Sequence, residues 1–341
     1  MKYRMRNIIL SGLYIINTIH IVAQDLQFSQ FYANPLYLCP SFAGTSKMGS
    51  RIALNYRDQW PAIPRAFISY SSSFDTYFPK INSGFGLFFL RDVAGSARLY
   101  FNQVGFLYSF DFQVSEEWHV RPGTHLYYIK TGLDYSKLVS YQHVAFEEQT
   151  GLSFSEVGVV PLEQNDDIDF NTSVLAYNNL NWGGIAVSHF FKPDIYFYGN
   201  NYTKTLPLTR SLKYSVFGGK RLQLRGNLIK FYKESLTLAF LYEQQNNFRQ
   251  FNAGSYYHLN PLVLGVWYRG IPFFKGNPGH DAVVFLLGYQ VSDFINLGYS
   301  YDFTLSSLKP SSGGAHELSL VWHFHIKRPT KKPQALPCPD L

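Results

Sequence analysis

The stretch Ile295-Asn296-Leu297-Gly298-Tyr299-Ser300-Tyr301-Asp302-Phe303-Thr304 alternates without a break. An extended strand sends successive side chains to opposite sides. Ile295, Leu297, Tyr299, Tyr301 and Phe303 therefore share one face, and Asn296, Gly298, Ser300, Asp302 and Thr304 the other. Other stretches repeat the pattern. Leu236, Leu238, Phe240 and Tyr242 oppose Ser235, Thr237, Ala239, Leu241 and Glu243. Leu318, Leu320, Trp322 and Phe324 oppose Glu317, Ser319, Val321 and His323, and Val104, Phe106, Tyr108, Phe110 and Phe112 oppose Gln103, Gly105, Ser109 and Asp111. The first faces are aromatic and suit lipid. The second are too polar for a water-free core and suit a lumen.

Working outward from this stretch, about 14 such segments are found, an even number as single-chain bacterial barrels require. They cover residues 50–57, 66–74, 84–91, 98–112, 119–135, 172–179, 182–191, 211–222, 234–244, 247–259, 261–270, 281–290, 293–304 and 314–325. Composition agrees. The 26 Tyr, 30 Phe and 5 Trp make up 18% of the 341 residues, enough to build the aromatic girdles of a transmembrane barrel. After residue 23 no apolar run approaches the roughly 20 residues of a spanning helix, so a helical membrane protein is excluded. The predicted fold is all-β, an antiparallel transmembrane barrel. The soluble alternative is a secreted β-sandwich, whose outward faces would be polar.

The first 23 residues read as a secretory signal peptide: a basic start, Lys2, Arg4 and Arg6, then a mostly apolar run from Ile8 to Val22, then small Ala23. The alternative is an uncleaved anchor. Removing the signal takes the formal charge from +7 to +4 (27 basic minus 23 acidic), which does not argue for nucleic acid. The expected organisation is a signal peptide at 1–23, a periplasmic N-terminal segment at 24–49, the barrel at 50–325 and a basic, Pro-rich periplasmic tail at 326–341. Placing residue 50 at the periplasm puts the longest connections, 136–171 and 192–210, outside the cell. Tight turns at Asn179–Asn181, Asn260–Pro261 and Gln290–Ser292 then fall inside, the asymmetry expected of outer-membrane barrels. The long 223–233 connection and the short Gln245-Asn246 turn run against that rule.

No catalytic motif is present: there is no His-Glu-x-x-His, Gly-x-Ser-x-Gly or Gly-x-x-x-x-Gly-Lys. His316, Glu317, His323 and His325 gather at the last strand and read as lumen polar groups. No cofactor is expected. Glu163, Asp166, Asp167 and Asp169 sit in an acidic outer loop, weak candidates for a calcium site whose spacing fits no calcium loop. Lys220, Arg221, Arg225, Lys230 and Lys233, with tail residues Lys327, Arg328, Lys331 and Lys332, form a basic periplasmic set. They would meet lipid headgroups or dock an acidic partner. Arg51, Arg57, Asp111, Lys130, Asp134, Glu243, Arg269 and Asp302 are assigned to the lumen, pairing with one another. Cys39 and Cys338 flank the barrel at what would be neighbouring ends in an oxidising compartment. A disulfide tying the tail beneath the lumen as a plug is one reading, and two independent thiols the other.

The segment Gln24-Asp25-Leu26-Gln27-Phe28-Ser29-Gln30-Phe31-Tyr32-Ala33-Asn34-Pro35 through Thr45 closely resembles the opening of the PorP/SprF family of type IX secretion membrane proteins. Asn55-Tyr56-Arg57-Asp58-Gln59-Trp60-Pro61 is similar to that family's Tyr-Arg-x-Gln-Trp-Pro stretch. Gly84-Phe85-Gly86, Asp92-Val93-Ala94-Gly95, Tyr299-Ser300-Tyr301-Asp302, Gly314-Ala315-His316-Glu317-Leu318-Ser319-Leu320 and Pro337-Cys338-Pro339 follow its later blocks, so the resemblance covers the mature chain. Cys39 departs from it, standing where Asn is expected. The resemblance implies a non-enzymatic accessory of type IX secretion or gliding motility. Such an accessory helps a secreted cargo or adhesin reach the surface and associates with secretion components, including periplasmic ones. A passive porin or small-solute transporter is the main rival, and a barrel enzyme the second.

Overall fold

The computed structural model describes residues 25–63, 66–95, 98–132, 164–194, 209–224, 234–271, 280–305 and 312–326. A four-residue helix α1 (Pro35–Leu38) and a 3-10 turn (Pro40–Phe42) precede the strands. These are β1 (Ser50–Gln59), β2 (Phe67–Phe78), β3 (Ser83–Ala94), β4 (Leu99–Phe110), the two-residue β5 (Phe112–Gln113), β6 (His119–Gly132), β7 (Gln164–Tyr177) and β8 (Asn181–Ser188). There follow β9 (Lys213–Gln223), β10 (Glu234–Gln245), β11 (Phe248–Leu259), β12 (Leu262–Gly270), β13 (His280–Gln290), β14 (Ile295–Thr304) and β15 (Ala315–Phe324). Each long strand pairs antiparallel with the next, and β1 pairs with β15 from Ser50↔Phe324 to Gln59↔Ala315, which closes the sheet. β5 continues β4 along the same partner β6, so the 15 labelled strands form a wall of 14 staves. Closure leaves no unpaired edge, which is what backbone in lipid requires. The sandwich alternative is thereby overturned.

The predicted faces hold. Leu297 and Tyr299 are 42% and 39% exposed on the outer surface, while Asn296 and Ser300 are 2% and 0% exposed inside. The seventh strand is longer than expected. It begins at Gln164 rather than 172, so Asp166, Asp167 and Asp169 belong to the wall and not to a loop. Pairing with β6 from Gly132↔Gln164 to His119↔Tyr177 outweighs the low strand propensity of three aspartates. Lys130 also differs from expectation: with exposed Leu126 and Tyr128 it lies on the outward-facing side of β6, not in the lumen.

The barrel has two ends. The base carries the start of β1, the end of β15 and the short turns, such as that between β11 and β12. The top carries the longest connections. Residues 25–49 fall in the segment expected to be periplasmic. Instead they run up through the lumen, and none of them is exposed. Ser46 hydrogen-bonds His323 near the base, Asn34 meets Ser71 at mid-height, and Asp25 reaches Arg210 and Lys213 at the top. The described start of the chain and the end of its last strand therefore lie at opposite ends, not together as expected.

Candidate functional site

The filled lumen is the feature with the most chemistry. A plug of irregular backbone leaves N–H and C=O groups without ladder partners, and buried ones must be paired. The polar inner faces supply those partners. The Glu317 carboxylate accepts the backbone N–H groups of Ser29 (2.7 Å) and Gln30 (3.1 Å). The Gln30 side chain donates to the Glu317 carbonyl and to Ser300, and accepts from Ser319. Asp75 accepts from the Gly44 N–H (2.8 Å), and Ser109 and Arg121 both donate to the Ala43 carbonyl. Proline explains where the plug turns. Pro35 opens α1 and Pro40 opens the 3-10 turn, positions where a missing N–H costs nothing.

Two arginines organise the upper socket. Arg57 reaches Asp302 (2.8 Å), Glu317 (3.2 Å) and the Ser29 hydroxyl (2.8 Å). Arg269 reaches Asp302 (3.1 Å) and the same hydroxyl (2.8 Å), which itself donates to Asp302 (2.6 Å). Ser29 thus joins β1, β12 and β14 through one oxygen. Below it, aromatic rings seat the plug: Phe31 and Tyr32 edge-on to Trp267 and Tyr256, and Phe42 tilted on Phe217, with centroids 4.9, 4.8 and 5.6 Å apart. Each such pair adds about 0.5–1.5 kcal/mol beyond its buried area.

The upper end of the plug is held by charge. Asp25 bonds His189 Nε2 (2.8 Å) and Arg210 (2.9 Å) and lies 3.6 Å from Lys213. The other nitrogen of His189 bonds Asp169 (2.6 Å), which also accepts from the Tyr127 hydroxyl (2.6 Å). Burial disfavours a charged Asp25, but His189, Lys213 and Arg210 overcome it and hold the carboxyl well below its ordinary range. Burial likewise opposes a charged His189, and the two carboxylates raise its pKa despite that. The gaps left beside this end are small. Two of them, of about 30 and 50 Å³, have room for only a few waters.

The predicted site residues fare unequally. Arg51–Asp75, Arg57–Asp302, Arg269–Asp302 and Lys213–Glu243 pair as expected of lumen charges, though much of what they hold is the plug. Asp166 faces outward and Asp169 inward, so the acidic candidates do not converge, and Glu163 lies outside the described residues. Among the described residues no three metal-ligating side chains gather. Lys220 and Arg221 are neighbours on β9 and so face opposite sides of the wall. Arg225, Lys230, Lys233, Lys327, Arg328, Lys331 and Lys332 lie outside the described residues. Cys39 is a free thiol, wholly buried inside the barrel, and burial pushes its pKa up. Of the two readings of the cysteines, the bridge turns on Cys338, which lies outside the described residues. Sequence reading missed the socket roles of Ser29, Gln30, Asp75 and Glu317. The signal for Ser29, Gln30 and Glu317 was present, because the blocks around 24–45, 55–61, 84–86, 299–302 and 314–320 are the two halves of one contact, whereas Asp75 lies in none of them.

A family model described as type IX secretion system membrane protein PorP/SprF matches residues 21–322. No curated protein matches. Among solved structures, Omp33 of Acinetobacter baumannii aligns over 82% of this chain and 100% of its own, at 6% identity and a TM-score of 0.43. A FadL homologue of Pseudomonas aeruginosa aligns over 81% and 90%, at 11% identity and 0.40. The monoaromatic hydrocarbon channel CymD aligns over 86% and 93%, at 12% identity and 0.40.

Proposed function

The chain belongs to the PorP/SprF family of type IX secretion system membrane proteins, and from that premise we propose that it is a non-enzymatic accessory which helps particular cargo proteins reach the cell surface. It acts at the outer membrane in type IX secretion. The observation that carries the finer reading is the filled lumen, where no residue between 25 and 49 is exposed. A closed barrel works through its surfaces, by binding cargo or other secretion components, rather than as a conduit for solute. In this reading the longest connections face the outside and the base faces the periplasm. The basic set at the base and in the tail, including Lys220 and Lys327, then meets an acidic periplasmic partner.

A clean deletion, made with no paralogous copy present, is expected to strip one or a few type IX cargo proteins from the surface without changing bulk permeability. Normal cargo display in that strain defeats the proposal. Orientation is tested separately, by a cysteine-reactive, membrane-impermeant label on a single cysteine placed within 136–160. Labelling on intact cells is expected, and labelling only after lysis reverses the orientation.

A further inference from the structure

The outer wall carries an apolar trough. It has a volume of about 690 Å³, within the range of small-molecule sites, and lies over the β1–β15 seam. Its floor is a cross-strand row, Leu297–Leu320–Leu54–Ser72, flanked by Tyr289 and Phe89. Ser72 gives it depth, being a small side chain between Leu54 and Phe89. The next row up, Leu287–Tyr299–Leu318–Tyr56–Tyr70, forms the upper bank.

That upper row does not stop at Tyr70. The same register continues through Arg91, Asn102 and Lys130 on β3, β4 and β6. Because barrel strands tilt, a cross-strand row climbs as it goes round. On β13 the first outward charge, Asp281, stands well above Leu287, whereas on β3 the row has reached a charge at Arg91 itself. Arg91 is exposed, lies 5.8 Å from the Tyr100 ring and touches Asn102 at 3.4 Å. Asp166 follows Lys130 in the row and ends the basic ledge.

We infer that this trough and its ledge form a binding site for an acylated, phosphorylated glycolipid of the outer leaflet. An acyl chain lies over Leu54 and Ser72, and a headgroup phosphate meets Arg91 and Lys130. The apolar trough alone would take any lipid tail. Arg91 and Lys130 stand beside the upper bank, on β3 and β6, and select an anionic headgroup by charge complementarity, while the carboxylate of Asp58, at the next outward position above Tyr56, turns that headgroup away from the centre of the trough. The choice of leaflet rests on the orientation proposed above, which the labelling experiment tests on its own.

The test is native mass spectrometry of the full-length chain in detergent, offered lipid A, phosphatidylglycerol or phosphatidylethanolamine in turn. The native protein is expected to retain one lipid A molecule in preference to the other two. Arg91→Gln combined with Lys130→Gln should lose that preference, and Ser72→Trp, which fills the trough, should lose the adduct. All these side chains face outward, so heat-modifiable migration on gels should persist and report an intact barrel. An equal adduct in both variants, a preference for phosphatidylglycerol, or no retained lipid overturns the proposal.

Discussion

Arg57 touches four acceptors at once, on β14, on β15, on the plug and, at Gln59, on its own strand. Its planar fork of donors suits that work and the point charge of lysine does not. Removing one partner from a buried ion pair costs about 3–5 kcal/mol, because the remaining charges stay buried and unpaired. Arg57→Ala should lower the unfolding free energy of the refolded barrel, measured in urea, by that order, and Arg57→Lys should recover little of it. Full recovery by lysine would show that charge alone matters. Ser300 teaches a related lesson. Its inward direction is legible from alternation, yet an arginine there would not enter open water, because the side chain of Gln30 occupies the space. His189 gives a pH dependence of known sign. Its pKa is raised in the folded state, so its contribution is complete below the ordinary histidine value of about 6.5 and is lost as pH rises through the folded value. Asp25 is depressed, so its contribution is lost only as pH falls through its low folded value. Protection of the N-terminal segment from protease should therefore weaken on the alkaline side. His189→Gln should remove that alkaline step. An unchanged step in the variant would assign it to another group.

At the scale of elements, the plug needs room that the strands give by omitting side chains. A Cβ at Gly84 would stand 2.1 Å from the Ala43 carbonyl oxygen, and one at Gly123 would stand 2.4 Å from the Ser41 nitrogen. Both obstacles are backbone, so neither can swing aside. Overpacking of this kind costs about 1–3 kcal/mol, occasionally more. Gly84→Val and Gly123→Val are expected to leave a heat-modifiable barrel whose N-terminal segment is cut by protease, and a segment as well protected as in the native protein would show that the plug shifts to fit. The strands themselves were legible almost throughout, since alternation survives any tertiary detail on a two-faced wall. β7 is the exception. Three aspartates read as a solvated loop, and only pairing with β6 makes them strand.

For the whole molecule, the plug decides what kind of barrel this is. Removing residues 25–46 behind an intact signal should give a barrel that conducts in planar bilayers, while the native chain should not. Equal conductance from the two would mean that the plug leaves a path. The deletion also removes Ser29 and Gln30, which tie β15 and β14 to the chain leading into β1. Thermal resistance of the closed form should therefore fall with it.

The sequence by itself determined the wall: all-β, antiparallel, about 14 staves, aromatic outside and polar inside. Those properties are local and periodic, and each strand carries its own copy of the pattern. The family was legible for a similar reason, being written in short contiguous blocks. Only the tertiary structure decided what the polar faces are for. Their partners lie up to 289 residues away in the chain, as between Ser319 and Gln30, and periodicity carries no information about contacts so remote. A serine facing water and a serine facing a buried glutamine look the same in a strand. What separates them is the chain that fills the lumen, which places Asp25 and Phe324 at opposite ends of one barrel.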